Sequence, residues 1–386
     1  MKKLLTILLT LGSFISFSQS IWIADNNPSP PTGSNIFGTL QEAIDAASPG
    51  DTIYIQPSAT EYGTGTTNIE LHFRGIGFNL DKDIPYTSMV DRINLYGAAD
   101  GSTNPSNSSI SGLDIDNIWF GRDSGSPSYT LTGLRIFNNL ITTMTSFSTT
   151  YAVPTEDMVI AYNYINTWNH ADQATNVTIR NNVIDGSIYF ISSLVSISAI
   201  ISNNIISGTV RKGSTDDFLV IQNNNFVGSA AAAFSVNLQN ASVVNNIFYG
   251  STPSIAPAGN STSASFQNNV FNNNLSFSTG NDSFPPQGGG AGNTGTGNFA
   301  GIDPQFTAGT LGNNWQSADD FTTAAAEVTN GGTDASDIGI FGGPYPFIGV
   351  NLQLVTSAIP TIQSLNTSTV INPGQDLQVD VSAKSN

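Results

Sequence analysis

Ile179-Arg180-Asn181-Asn182-Val183-Ile184 is one of seven short phrases that lead from an apolar residue through asparagine into a second apolar stretch. The others are Ile136-Phe137-Asn138-Asn139-Leu140-Ile141, Ile160-Ala161-Tyr162-Asn163-Tyr164-Ile165, Ile201-Ser202-Asn203-Asn204-Ile205-Ile206, Ile221-Gln222-Asn223-Asn224-Asn225-Phe226, Val243-Val244-Asn245-Asn246-Ile247-Phe248 and Phe266-Gln267-Asn268-Asn269-Val270-Phe271. The second asparagine falls at 139, 163, 182, 204, 224, 246 and 269, in steps of 24, 19, 22, 20, 22 and 23 residues. Short apolar strands repeated at such a period, without helical spacing, predict a coil of strands in which each turn stacks on the last.

A second element keeps the same register. Gly186, Gly208, Gly228 and Gly250 recur at steps of 22, 20 and 22 residues, so each coil reads as strand, asparagine corner, strand, glycine corner, strand. Glycine gives a corner its backbone freedom, and asparagine tolerates the left-handed region. Asparagines stacked about 4.8 Å apart can hydrogen-bond up the column. Ile110-Ser111-Gly112-Leu113-Asp114-Ile115-Asp116-Asn117 aligns 21 residues ahead of Leu131-Thr132-Gly133-Leu134-Arg135-Ile136-Phe137-Asn138. That alignment predicts Asp114 beside Arg135.

With this ladder the sequence resembles the pectin-lyase-like superfamily of right-handed parallel β-helices. The opening Thr39-Leu40-Gln41-Glu42-Ala43-Ile44 to Ile53-Tyr54-Ile55 is similar to the first helix and strand of many members. Asp303-Pro304-Gln305-Phe306 and Thr333-Asp334-Ala335-Ser336-Asp337-Ile338-Gly339 resemble the closing stretch of secreted bacterial β-helix-repeat proteins. The resemblance covers most of residues 21–350 and implies a fold. It does not select an activity, because lyases, glycosidases, adhesins and structural proteins share that fold. A leucine-rich repeat would require leucines at fixed offsets, where this chain has Ile/Val-x-Asn-Asn.

The expectation is therefore an all-β chain: a single right-handed parallel β-helix with an asparagine ladder, a short N-terminal capping helix and an irregular C-terminal cap. Residues 1–20 read as a signal peptide, with Lys2 and Lys3 ahead of an apolar run to Phe17. The β-helix and its caps take 21–350, and 351–386 form a C-terminal tail with short strands, among them Val370–Gly374 and Leu377–Val381. Thr39 with Glu42 forms a capping box that opens the lid helix. Strands are expected at 52–55, 69–73 and 93–96, and 299–346 should cap the C-terminal end.

Composition narrows the partners. Without Lys2 and Lys3 the 11 basic residues become 9, against 28 acidic ones, a formal charge of about −19. Such a surface disfavours nucleic acid and anionic lipid, and repels polyuronates unless a cation intervenes. With no cysteine, the chain has neither disulfide staples nor a lipid-anchored cysteine. The expected location is secreted or cell-surface, with the periplasm as the other compartment, and no transmembrane segment.

Chemistry is sparse. His72 and His170 are the two histidines, too few for a histidine metal cluster. Loop acids such as Asp81, Asp83, Asp216, Asp217, Asp319 and Asp320 could hold Ca²⁺ but lack the spacing of a calcium loop. Gly290-Ala291-Gly292-Asn293-Thr294-Gly295 matches a dinucleotide fingerprint without its strand and helix. The convergent surface is predicted at Trp168, His170, Asp172, Arg180, Tyr189, Arg211 and Lys212. There Arg180 shares a column with Ser202 and Gln222, and Tyr189 neighbours Arg211, with Ala231 equivalent to both. Flat aromatics with polar neighbours suit a sugar platform. The functional expectation is a non-catalytic protein that binds extracellular polysaccharide or cell-surface proteins, or serves a structural role, without a cofactor. The alternative is a calcium-assisted polysaccharide lyase, with Arg180 and Arg211 among its few basic candidates, or another carbohydrate-active enzyme acting on extracellular polysaccharide.

Overall fold

A computed structural model describes residues 19–77, 86–98, 100–122, 129–146, 153–170, 174–190, 197–211, 218–228, 232–235, 238–253, 266–286, 292–311, 314–333, 335–348, 361–367 and 379–384. Two parallel sheets of 15 and 14 strands run the length of the body. Every described strand pair within them is parallel, and each strand pairs with the equivalent strand one coil away. The chain is thus an all-β parallel β-solenoid, with one short helix among the described residues.

Inward side chains form stacked columns. In the first sheet Ile53, Phe73, Ile110, Ile136, Ile160, Ile179, Ile201, Ile221, Val243 and Phe271 lie in continuous register. Tyr62, Val90, Ile115, Ile141, Ile165, Ile184, Ile206, Phe226 and Phe248 do the same in the second. All are buried, and each contributes about 1.5–3 kcal/mol by leaving water.

The asparagine pairs divide two tasks. The first member of each turns the chain in the left-handed region, at φ of 54–57° for Asn138, Asn181, Asn203, Asn223 and Asn245. Tyr162 takes that position in its coil at φ 59°. The second member is buried and bonds upward, Nδ2 to Oδ1, at 3.0 Å from Asn139 to Asn163, Asn163 to Asn182, Asn182 to Asn204, Asn204 to Asn224 and Asn224 to Asn246. Each Oδ1 also accepts the backbone N–H of the preceding asparagine.

Two sequence alignments are corrected. The column continues from Asn246 to Asn274 and Asn298, not to Asn269. Asn269 belongs to a separate corner, where it bonds Asn293. Val243 pairs with Phe271, so this step is 28 residues; an insertion lets a second asparagine corner mimic the first. Likewise Ile110 pairs with Ile136, an offset of 26 rather than 21. Asp114 therefore adjoins Leu140 and Met89, while Arg135 adjoins Ser109 and Val159.

The lid helix spans Leu40–Ala46, and Thr39 accepts the Glu42 N–H. Leu40, Ala43 and Ile44 are buried over the strand Tyr62–Thr67, the first of the second sheet. Gly65 permits this approach, since a Cβ there would lie 2.7 Å from Ile44 Cδ1. The glycine-rich Tyr62–Thr67 was not expected as a strand; the other early strands lie at Asp51–Ile55, Leu71–Arg74 and Met89–Gly97. Strand Val379–Lys384 pairs antiparallel with Thr361–Thr367, and 370–374 lies outside the described residues.

The irregular segment after Ile302 lies along the flank of the stack. Its Phe321 and Ile340 pack with Val183, Ile205 and Val227, and its Ala325, Val328 and Ile338 pack with Ile247 and Leu275. Trp315 reaches Tyr164, with ring centroids 5.8 Å apart. The corner asparagines hold this strap through their side-chain amides: Asn273 to Gly331 O, Asn223 to Asp337 O, Asn203 to Ile340 O and Gly342 O, and Asn181 to Tyr345 O. The outward positions beneath it, Tyr164, Val183, Ile205, Ile247, Leu275 and Phe299, follow the ladder asparagines directly. In these coils the second sheet is apolar on both faces, apart from Asn225 between Ile205 and Ile247.

Candidate functional site

The predicted platform does not assemble. Trp168 pairs with Met144 and Ile188 and is fully buried, its indole packed edge-on against Phe190 at 5.5 Å. Strict alternation from Ile165 would point it outward. Asn166 and Thr167 both face solvent to some degree, so the alternation changes phase within this strand. His170 pairs in register with Phe190, while Asp172 and Lys212 lie outside the described residues.

The remaining three residues divide between two places. Arg180 does share a column with Ser202 and Gln222, but Ser202 is buried. The guanidinium lies between the rings of Tyr162 and Tyr345, at 5.0 and 4.7 Å, and donates to the Tyr162 hydroxyl at 2.9 Å. Arg180 thus clamps the end of the strap. Tyr189 and Arg211 are cross-coil neighbours as expected, with the guanidinium 5.8 Å from the ring centroid. The next residue in that column is Ser235, not Ala231.

A different surface gathers polar groups, on the outer face of the strands Tyr62–Thr67, Met89–Gly97, Asp114–Arg122 and Leu140–Ser146. The register sets Asp91 level with Asp116, on strands about 4.8 Å apart. Asp114 lies two positions before Asp116, and Glu61 just precedes the first strand. Each aspartate accepts a threonine hydroxyl: Thr64 to Asp91 at 2.8 Å, Thr87 to Asp114 at 3.3 Å and Thr142 to Asp116 at 3.4 Å. None is in an ion pair; among the described residues the salt bridge is His72 to Glu70, at 3.6 Å.

Burial pushes the Asp114 carboxyl up; the Thr87 hydrogen bond opposes this and the charge of Asp116 adds to it. Glu61 is also raised, by desolvation first and then by Asp116, Asp91 and Asp114. Beside these acids Arg92 lies over the Trp119 ring, 3.9 Å from its centroid. Asn94, one coil from Trp119 in register, donates to Thr66 at 2.9 Å. The face can accept hydrogen bonds from hydroxyls, with an indole alongside. The sequence signal for it was the spacing Asp-x-Asp, obscured when the 21-residue offset assigned Asp114 to Arg135.

Among the described residues no three His, Cys, Asp or Glu are grouped to hold a metal ion. No described helix is long and apolar enough to cross a membrane. Comparison with protein-family models gives no match, and comparison with curated protein sequences gives none.

Proposed function

We propose that this chain is a secreted or cell-surface β-solenoid that binds polysaccharide without cleaving it, through the face of Glu61, Asp91, Asp114, Asp116 and Trp119. One observation carries the reading: three aspartates on adjacent coils take hydroxyl donors from threonine and no cation. Ionised carboxylates accept several hydrogen bonds, and hydroxyl donors to them are worth more than neutral pairs. A hydroxyl-rich, uncharged or cationic glycan extends this pattern, whereas a polyuronate is repelled. The resemblance to pectin-lyase-like proteins and the apolar N-terminus support an extracellular setting.

Affinity electrophoresis in gels cast with neutral, aminated and uronate polysaccharides tests the reading. Retardation by a neutral or aminated polymer, reduced in Asp91→Asn and Asp116→Asn, is expected. Retardation by uronates alone, or equal retardation of both variants, would overturn it.

Cleavage is the second reading, favoured by the raised Asp114 two strand positions from exposed Asp116. Positions i and i+2 of a strand are about 6.6 Å apart, within the separation of an inverting acid–base pair. Release of new reducing ends that disappears in Asp114→Asn would establish it. The lyase alternative called on Arg211 as a basic group, which here lies over Tyr189.

A further inference from the structure

The outer face of the first sheet brings together a hydroxyl, an imidazole and a carboxylate. Glu70 precedes the strand Leu71–Arg74, and His72 lies within it. One coil on, Ser109 stands in register with His72, and one coil further Arg135 stands in register with Ser109. His72 Nδ1 is 3.0 Å from Ser109 Oγ, and His72 Nε2 is 3.6 Å from Glu70 Oε1. The carboxylate beside Nε2 favours the tautomer with its proton there, which leaves Nδ1 to accept the Ser109 hydroxyl. Burial pushes the His72 pKa below its ordinary 6.5; Glu70 opposes this and Arg74 adds to it. The ring is therefore neutral at neutral pH and able to take a proton. The group is open to solvent, with the His72 and Glu70 side chains 22% and 34% exposed. Ser109 is 7% exposed at the bottom of the row, between half-buried His72 and exposed Arg135. The strap packs against the second sheet.

We infer that Ser109, His72 and Glu70 form a hydrolytic site for short acyl esters, with Ser109 as nucleophile, His72 as base and Glu70 as the positioning residue. A nucleophile, a base within hydrogen-bond reach and a third group that orients the base define this chemistry on any fold. Ser109 Oγ bonds to the acyl carbon as its proton passes to His72 Nδ1. Arg135, on a strand about 4.8 Å away, can donate to the oxyanion that forms. The bond to the alkoxy oxygen then breaks, and that oxygen leaves as the alcohol with the proton from Nδ1. Water gives a proton to Nδ1 and attacks the acyl-serine, releasing the carboxylic acid while Oγ recovers its proton. The sum is ester plus water to acid plus alcohol. The register neighbours of the pair, Thr52 and Arg135, are polar, so the row suits an acetyl group better than a long acyl chain. The site lies on the other sheet from the acidic face, and neither depends on the other.

The test treats the full chain with 4-nitrophenyl acetate and, separately, with a fluorophosphonate probe located by peptide mass spectrometry. Ester hydrolysis above the buffer rate and probe attached to Ser109 are expected, and Ser109→Ala should lose both. His72→Gln should lower kcat and the labelling rate by about 10²-fold or more, the worth of a general base. Glu70→Gln should lower kcat with KM unchanged, a split that a loosened fold would not give. If Ser109→Ala fails to fold, labelling of the parent chain decides alone. Probe found on another residue or on none, hydrolysis that survives Ser109→Ala, or His72→Gln as active as the parent chain overturns the inference.

Discussion

Replacing Asn204 by alanine should open the stack at its middle. The Asn204 Oδ1 accepts both the Asn182 N–H and the Asn182 Nδ2, each at 3.0 Å. Its Nδ2 donates to Ile179 O at 2.9 Å and to Ser202 O and Asn224 Oδ1 at 3.0 Å. Five hydrogen bonds at about 0.5–1.5 kcal/mol each, plus about 1–3 kcal/mol for stranding the buried Asn182 N–H, give a loss of about 5 kcal/mol or more. Asn298→Ala is the control, since this part-buried end residue accepts from Asn274 N and Nδ2 at 2.9 and 3.1 Å and donates to Phe271 O at 2.8 Å. Its loss should be about 1–3 kcal/mol. Stacked coils open in parts, so native-state hydrogen exchange is the proper assay. Amides of the coils at 179–184, 201–206 and 221–226 should lose protection together in Asn204→Ala. Asn204→Asp should be worse at neutral pH, because a carboxylate oxygen then faces three acceptors. A cost for Asn204→Ala within about 1 kcal/mol of that for Asn298→Ala would refute the ladder as a source of stability.

Gly342→Ala would place a Cβ 1.6 Å from Asp337 O, so the strap must shift. Limited proteolysis should cut 302–348 faster, and Trp315 emission should move red as it leaves Tyr164. Asp51 accepts from Trp22 Nε1, Ser20 N and Ser48 N at 2.8, 2.7 and 2.9 Å, and Asp51→Ala should cost about 2–4 kcal/mol in denaturant unfolding. Burial would raise its pKa, but those hydrogen bonds outweigh it and the net shift is downward. Its contribution is therefore present above the unfolded value of 3.8 and lost as pH falls through the folded one. Asp114 has the opposite sign: its folded pKa is raised, so its contribution is full below 3.8 and lost as pH rises through the folded value. Asp114→Asn should accordingly raise Tm at neutral pH, and the gain should vanish on acidification below 3.8.

The coil was readable because its two signals are local. Left-handed corners need residues such as asparagine, and a one-residue slip would expose the apolar columns, so register is fixed wherever Ile/Val-x-Asn-Asn stands. Reading failed where insertions change the step. The 28 residues from Asn246 to Asn274 and the 26 from Ile110 to Ile136 defeat a fixed period. The site suffered for the same reason. Trp168 was placed outside as the coil neighbour of Tyr189 and Arg211, although within its strand it turns inward, and Asp114 was given a partner one corner away. The Tyr189–Arg211 pair was correct because no insertion separates those coils in that sheet. No periodic rule predicts the strap, which has no repeat of its own. Yet its landing place was written in the doublets Val183-Ile184, Ile205-Ile206 and Ile247-Phe248. One residue of each faces the core, so the other requires a cover.

That cover explains where a ligand face can exist. From Tyr164 onward the second sheet carries apolar side chains outward, and the strap occupies them. Before Tyr164 the positions in register with it hold Leu140, Asp114 and Met89, and two residues further along these strands stand Thr142, Asp116 and Asp91; none of these is among the residues that pack with the described strap. Half-buried carboxylates on such a face are costly to the fold: burial first, and neighbouring carboxylates after it, push the Asp114 and Glu61 carboxyls up. The remaining coils can carry that cost because they are buried on both faces and held by a continuous asparagine column. Exchanging the roles is the decisive case. Asp91→Val with Asp116→Val should stabilise the early coils, since the apolar pair removes repulsion and adds cross-strand packing. The same change should abolish polysaccharide retardation. A double variant that loses stability would mean these acids are structural, and the division between a covered flank and a working one would fail.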